Sequence, residues 1–370
     1  MKRKVQVIDC ESCRPRTAVL DEGRMAILKE GLVEFFHKNQ NQQVVDSPET
    51  MAFMVSQLAY TEATTYEREY MEMQFRSLVP VTAEAGPEAA SVRYQVYDMV
   101  GQGKRVSSSS KDIPTADVSA GQVEIQVVTG AAGYRYNQQE LIESAKFLRP
   151  LPVARMQTAV EMAERHLNSV AMLGEVSGIA GGASYLGMTN QATGTGAGQI
   201  TLINRSTSGF TGQWAAAAAA GTFNTILADF NLCLLTAWQN SQYVVLPNTV
   251  AMDPAVYSIL ATTYNLLGTK TLLSLIEEGN ILTTTRKEPI SIEPVYQFAG
   301  TGFVHGSGAA GASRMLFYRN EARRMIMHIP MPLRFLAPQP EGLDIFIPGH
   351  YRYTGLNVRY PYTWLYADEA

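Results

Sequence analysis

Two runs of alternating side chains, Ser91 to Val100 and Gly121 to Val128, flank the polar segment Gly101-Gln-Gly-Lys-Arg-Val-Ser-Ser-Ser-Ser-Lys-Asp112. Val92, Tyr94 and Val96 point to one side and Ser91, Arg93 and Gln95 to the other, and Val123, Ile125 and Val127 repeat the alternation on the return. The pattern predicts a two-stranded hairpin with one apolar face left over. A lone hairpin is marginal in water, so that face must be covered by the chain's own body or by another subunit. Which of the two covers it governs what the chain does.

At 370 residues the chain exceeds the roughly 250 to 300 at which a single core stops growing, so two lobes with extensions are expected. Charged residues make up 17%, below the roughly 25% of ordinary soluble domains, which fits either broad contact surfaces or a large interior. A net charge of −4 offers no basic footprint for phosphate neutralisation. This argues against a sequence-specific nucleic-acid reader while tolerating enclosed DNA. Lys2, Arg3 and Lys4 are followed by Asp9, Glu11, Asp21 and Glu22 without an apolar run, so no secretion signal is expected. The strongest apolar helix pattern, Ile226 to Trp238, carries Asp229 and Asn231 and is too short to cross a bilayer. Cys10, Cys13 and Cys233 form no disulfide set. Cys10-Glu-Ser-Cys13 has zinc-ligand spacing but lacks the second ligand pair of a structural site, so no metal and no cofactor are expected.

Residues 1–76 read as an arm, irregular to Thr17, then helical from Glu22 to Phe36 and from Ser47 to Glu69, with Ser47 as N-cap and Pro48 in the first turn. After the hairpin, Pro152 opens and Gly174 closes a long helix whose Val153, Met156, Val160, Ala163, Leu167 and Val170 form one apolar stripe. The Gly-, Ala-, Ser- and Thr-rich run Val176 to Gly212 marks a lobe boundary. A helix from Thr222 to Trp238, a strand Tyr243 to Leu246, a helix opened by Asp253-Pro254, a helix Leu272 to Glu278 stopped by Gly279, and strands Ile290 to Phe298 and Met315 to Tyr318 follow. Arg323 to Tyr366 reads as several strands punctuated by Pro and Gly. The fold class is α+β.

No catalytic set emerges. Gly300-Thr-Gly-Phe-Val-His-Gly-Ser-Gly308 follows a strand but opens no helix whose amides could meet phosphate, so it reads as a hairpin loop. Ser108-Ser-Ser-Lys111 has serine-lysine acylation spacing, yet a loop tip cannot depress a lysine pKa. The histidines, His37, His166, His305, His328 and His350, stand apart from one another and from any nucleophile motif. Glu277 and Glu278 diverge around a helix end. The chain is not expected to be an enzyme.

Several stretches, in order, resemble the major capsid proteins of tailed bacteriophages, the encapsulin-like family with the Hong Kong-type capsid fold. They are Phe53-Met-Val-Ser-Gln-Leu58, Leu78-Val-Pro-Val-Thr-Ala-Glu-Ala-Gly-Pro87, Tyr97-Asp-Met-Val-Gly101, Lys111-Asp-Ile-Pro114, Val244-Val-Leu-Pro247, Ile329-Pro-Met-Pro332 and Val358-Arg-Tyr-Pro361. The resemblance implies an N-terminal arm at 1–76, an extended loop at 77–130 and a peripheral domain with its spine helix at 131–175. It further implies an axial domain at 176–319 and peripheral strands at 320–370. It implies that the extended loop lies across an adjacent copy, with Lys104, Arg105, Lys111 and Asp112 at the loop tip as assembly residues. The partners implied are the chain itself, as hexamers and pentamers in an icosahedral shell, packaged double-stranded DNA bound without sequence specificity, and portal, scaffold or decoration proteins, with no membrane. The place implied is the virion capsid, assembled in the host cytoplasm. Some relatives join a loop lysine to a neighbour's asparagine, but no matching asparagine and glutamate accompany Lys104 or Lys111, so no such cross-link is expected.

Two other functions compete. An encapsulin-type nanocompartment would keep the fold and enclose a cargo enzyme. An α/β enzyme would use the hairpin as a lid over a pocket.

Overall fold

The computed structural model describes residues 4–8, 15–19, 70–107, 111, 113–146, 151–175, 184–194, 196, 198–204, 207, 209–264, 269–299 and 313–369. The chain divides into two units, Met1–Met71 and Glu72–Ala370. In the first, β1 (Lys4–Ile8) pairs antiparallel with β2 (Pro15–Val19), from Lys4 opposite Val19 to Ile8 opposite Pro15. The irregular start expected to Thr17 is therefore a hairpin, because Val5 and Val7 alternate with Lys4 and Gln6 in the period of a strand. The helices expected at 22–36 and 47–69 lie outside the described residues.

The second unit opens with α1 (Phe75–Leu78), β3 (Val81–Thr82), the long hairpin β4 (Ser91–Val100) and β5 (Asp117–Gln126), then β6 (Val128–Ala131) and β7 (Tyr134–Asn137). Two helices follow, α2 (Gln138–Lys146) and α3 (Leu151–Leu173). Gly174 ends α3 at φ +78°, where a Cβ would come within 2.4 Å of the Tyr185 carbonyl oxygen, so glycine is the residue that fits. The apolar stripe expected along α3 is divided. Ala163, Leu167 and Val170 are buried, whereas Val153, Met156 and Val160 stay exposed. The difference comes from α1, which packs only on the second half: the Phe75 amide donates to Asn168 Oδ1 at 3.3 Å and Arg76 pairs with Glu164 at 2.7 Å.

The chain continues through β8 (Thr201–Ile203), α4 (Trp214–Ala219), α5 (Phe223–Asn240), β9 (Thr249–Met252), α6 (Pro254–Thr262), α7 (Leu272–Gly279), α8 (Ile281–Arg286), β10 (Ser291–Pro294) and β11 (Ser313–Tyr318). Asp253 caps α6 as expected, its side chain accepting from the Ala255 amide at 2.9 Å. Two expectations are corrected. Tyr243 to Leu246 is not a strand: Gln242 and Tyr243 turn left-handed at φ 51° and 63°, and the extended run begins only after Pro247, at β9. Ile290 to Phe298 is a strand only over β10, and Tyr296–Phe298 coils into a 3-10 turn. Gly279 ends α7 as expected: the next residue, buried Asn280, is extended, donates to Ile276 O and caps the separate helix α8 by accepting from the Thr283 amide, each at 2.8 Å.

The last seven strands are β12 (Met325–His328), β13 (Met331–Phe335), β14 (Gln339–Glu341), β15 (Asp344–Ile347), β16 (Gly349–Tyr353), β17 (Leu356–Val358) and β18 (Leu365–Glu369). The first six return to earlier segments as three-stranded sheets ordered β17-β12-β3, β13-β16-β6 and β14-β15-β7. The largest sheet runs β10-β9-β11-β18-β8, with β11 antiparallel to both neighbours. Its two faces feed two cores. Leu316, Tyr318, Tyr366 and Ala251 face a cluster with Phe75, Leu167, Met327 and Tyr353. Met315, Phe317, Leu365 and Val250 face a second with Trp214, Phe230, Leu260 and Ile276. Burial on both sides explains the unbroken apolar runs of β9 and β11. Arg314 crosses this sheet as an ion pair with Asp368 on β18, at 2.7 and 2.8 Å.

Candidate assembly interface

The hairpin β4–β5 carries ten cross-strand pairs without a bulge, from Ser91 opposite Gln126 to Val100 opposite Asp117. The return strand thus runs from Asp117 to Gln126 rather than from Gly121 to Val128, four residues further towards the tip and two fewer at the root. Residues directly opposite share a face. Near the root one face is apolar, with Val92 opposite Ile125 and Tyr94 opposite Val123, and the other holds the Arg93–Glu124 ion pair. Further out the polarity inverts. Tyr97 opposite Ala120 and Met99 opposite Val118 place apolar side chains on the formerly polar face, while Asp98, Ser119 and Asp117 occupy the formerly apolar one. A single apolar face was expected; the apolar stripe instead crosses from one face to the other at Val96 and Tyr97.

Among the described residues, those of the second unit cover the root. The Tyr94 hydroxyl donates to Asn357 Oδ1 at 3.5 Å on β17, and the Arg359 guanidinium lies 5.1 Å from the Tyr94 ring centre. Burial raises the Tyr94 phenol pKa above its ordinary value, with Arg359 opposing. The Tyr185 hydroxyl donates to Gln126 O at 2.8 Å, and Arg352 donates to Pro87 O. Burial and the Glu175 carboxylate push Tyr185 up to about 12, so the phenol holds its proton and its bond to the root. Beyond Val96 none of the described residues covers the arm: Tyr97 is 63%, Met99 90% and Val118 57% exposed.

At the tip, Lys104, Arg105 and Lys111 are all exposed, and Asp112 lies outside the described residues. The first two follow Gly101, where a Cβ would come within 3.0 Å of Ala116 Cα, so the two arms of the tip leave the ladder close together. A cavity of about 460 Å³ opens between those arms, lined by Met99, Val100, Pro114 and Val118 among others. Ser108, Ser109 and Ser110 also lie outside the described residues.

A second concavity, of about 540 Å³, is one that the sequence did not reveal. Arg323, Arg324, Tyr360 and Tyr362 line it beside the α5 C-terminus, with Asn240 and Val244. Arg324 pairs with Glu321 at 3.0 Å, whereas Arg323 has no ion-pair partner among the described residues. The rings of Tyr360 and Tyr362 meet edge to face at 5.7 Å. Burial, then Tyr360, raises the Tyr362 phenol above its ordinary value, with Arg324 and Arg323 opposing. The left-handed turn that replaced the expected strand forms the rim and leaves Tyr243 and Val244 exposed, with Arg286 donating to Val244 O at 2.7 Å. The signals that could have found this site are the adjacent arginines before β12 and the Tyr-Pro-Tyr after β17, two segments that only the fold brings together.

Among the described residues no group of His, Cys, Asp and Glu could hold a metal ion, and Cys10 and Cys13 lie outside them. Buried Asp229 is committed to structure, accepting from Trp214 Nε1 at 3.1 Å and from the Thr211 amide at 3.1 Å. Among the described residues, no helix is long and apolar enough to cross a membrane.

The family model described as major capsid protein matches residues 101–369. No curated protein matches in sequence. Among solved structures, the capsid of Myoviridae Phage XM1 is 18% identical and superposes with a TM-score of 0.63 over 85% of this chain and 98% of that one. The capsid of the native GTA particle is 14% identical, with a TM-score of 0.56 over 89% and 99%. Mycobacterium phage Ogopogo gives 13% identity and a TM-score of 0.50 over 86% and 98%. At these identities the shared property is the fold.

Proposed function

The chain belongs to the major capsid protein family, and from that premise we propose how its copies join. It is a phage-type capsid shell protein, and its copies associate through the protruding arm into rings, six- and five-membered, that close into an icosahedral shell around double-stranded DNA. The observation carrying this reading is the outer half of β4–β5, where Tyr97, Met99 and Val118 stand exposed on an unbroken ladder. A regular paired arm keeps its direction, so its outer half does not fold back onto its own root, and a neighbouring copy supplies the cover. Such a contact joins two different surfaces, and a heterologous contact repeated by rotation closes a ring. Lys104, Arg105, Lys111 and Asp112 then meet the neighbour at the tip. The DNA is enclosed without base readout, consistent with a net charge of −4. Assembly takes place in the host cytoplasm, and portal, scaffold or decoration proteins join the shell.

Deleting residues 101–116 tests the reading. Soluble small oligomers are expected in place of shells, and intact particles in negative-stain micrographs of the deletion would refute it. Absorbance at 260 nm of nuclease-treated wild-type particles tests the DNA: protein-only absorbance would leave the shell and remove its proposed content.

A further inference from the structure

We propose that the Arg323–Tyr362 concavity is the receptor for the acidic face of a second copy's arm, with the Asp98 and Asp117 carboxylates of one copy seated against Arg323 of another. This rests on the shell reading and names the surface that reading leaves open.

The argument starts from uncompensated charge. Asp98 and Val100 lie on the face of β4 that their partners Ser119 and Asp117 share, so two carboxylates sit on adjacent rungs with no cation on that face of the ladder. Neither acid has an ion-pair partner among the described residues; Asp117 accepts only from the Val118 amide, at 2.7 Å. The concavity has the opposite character: an exposed guanidinium without a carboxylate at Arg323, a second at Arg324 shared with Glu321, and the Asn240 side-chain amide, whose buried nitrogen has no acceptor. Carboxylates are the ligands that guanidinium and amide donors fit, and Val100, opposite Asp117 and next to Asp98 on the same face, suits a wall made by Val244 and Tyr362.

The fold also excludes the arm's own concavity as its seat. Arg359 stacks on Tyr94 at the root, and Tyr360, the next residue, lines the concavity. Val100 lies six residues further along a straight ladder, about 20 Å away at strand rise. An arm between two bodies shows its apolar face to one and its acidic face to the other, so the copy covering Tyr97 and Met99 need not be the one receiving Asp98. Burial of the apolar face supplies adhesion, and the carboxylates fix where along the neighbour the arm stops.

Charge exchange in the full-length chain tests the contact. Asp98 and Arg323 are both exposed, so substitution there leaves the fold intact, which circular dichroism and the melting temperature verify. Asp98→Arg alone and Arg323→Glu alone are each expected to lower particle yield by sedimentation about tenfold, and the double variant to restore it. Wild-type yield from both single variants, or a double variant no better than either single one, overturns the proposal. Neither result touches the shell reading, which fails instead if the deletion of residues 101–116 still yields shells.

Discussion

Arg314→Met removes one half of an ion pair that the central sheet buries on both faces. The Arg314 side chain is 1% exposed and Asp368 7%, and their forks meet at 2.7 and 2.8 Å. Arg314 also donates to Thr189 O at 2.7 Å and lies 4.5 Å from the Tyr366 ring centre. Methionine keeps most of the apolar stem's packing, so the loss comes from the carboxylate left without its cation. Stranding a buried charge costs about 3–5 kcal/mol, and for a unit of this size that lowers the melting temperature by about 5–8 °C. Removing both charges is different: Arg314→Met with Asp368→Leu leaves no orphan ion and recovers to within about 1–2 kcal/mol of wild type. Urea unfolding followed by tryptophan fluorescence, in the background of the 101–116 deletion so that shell contacts add nothing, gives both values. A single variant that loses under about 1 kcal/mol, or a double variant that loses the sum of the two single ones, would refute the view that the pair matters through the charge it satisfies.

The hairpin root gives two further tests. Gly355→Ala places a Cβ 2.3 Å from the Tyr185 ring, so the ring must move and its bond to Gln126 O must break; a loss of about 1–3 kcal/mol and faster amide exchange at residues 90–96 and 123–127 are expected, and unchanged exchange would count against it. His328 is buried, neither ring nitrogen has a hydrogen-bond partner among the described residues, and burial, then Arg359, hold its pKa below the usual 6.5 while Glu84 opposes. The unfolded chain therefore binds the proton first, so this contribution is complete above about pH 6.5 and is lost as pH falls through the folded value. The urea midpoint should drop between pH 7.5 and 5.5, and His328→Leu should flatten that drop; an unchanged slope in the variant would show that other groups set it.

Elements whose signal is local were legible in the sequence. The hairpin strands, the long α3, the Asp253 cap and the Gly174 stop each rest on residues within one or two turns of one another, where period and capping chemistry act directly. Features that depend on a distant segment were not. The exposure of Val153, Met156 and Val160 follows from how far α1 reaches along α3, and no periodicity encodes that length. Tyr243 to Leu246 has the composition of a strand, yet the turn at Gln242 and Tyr243 moves the strand past Pro247 and turns those side chains outward as the rim of the concavity. The crossing of the apolar stripe has the same origin. Val92, Tyr94 and Val96 set one parity, and Tyr97 and Met99 reverse it, but the reversal becomes a surface only when the register places Ala120 and Val118 opposite them. A sequence with strict alternation to the tip would give an arm with one sticky side, able to lie flat on any apolar neighbour. The reversal instead gives the arm an adhesive face and an acidic face over the same rungs, so the surfaces on its two sides must each match a different chemistry, which favours one docking position over sliding along the strand.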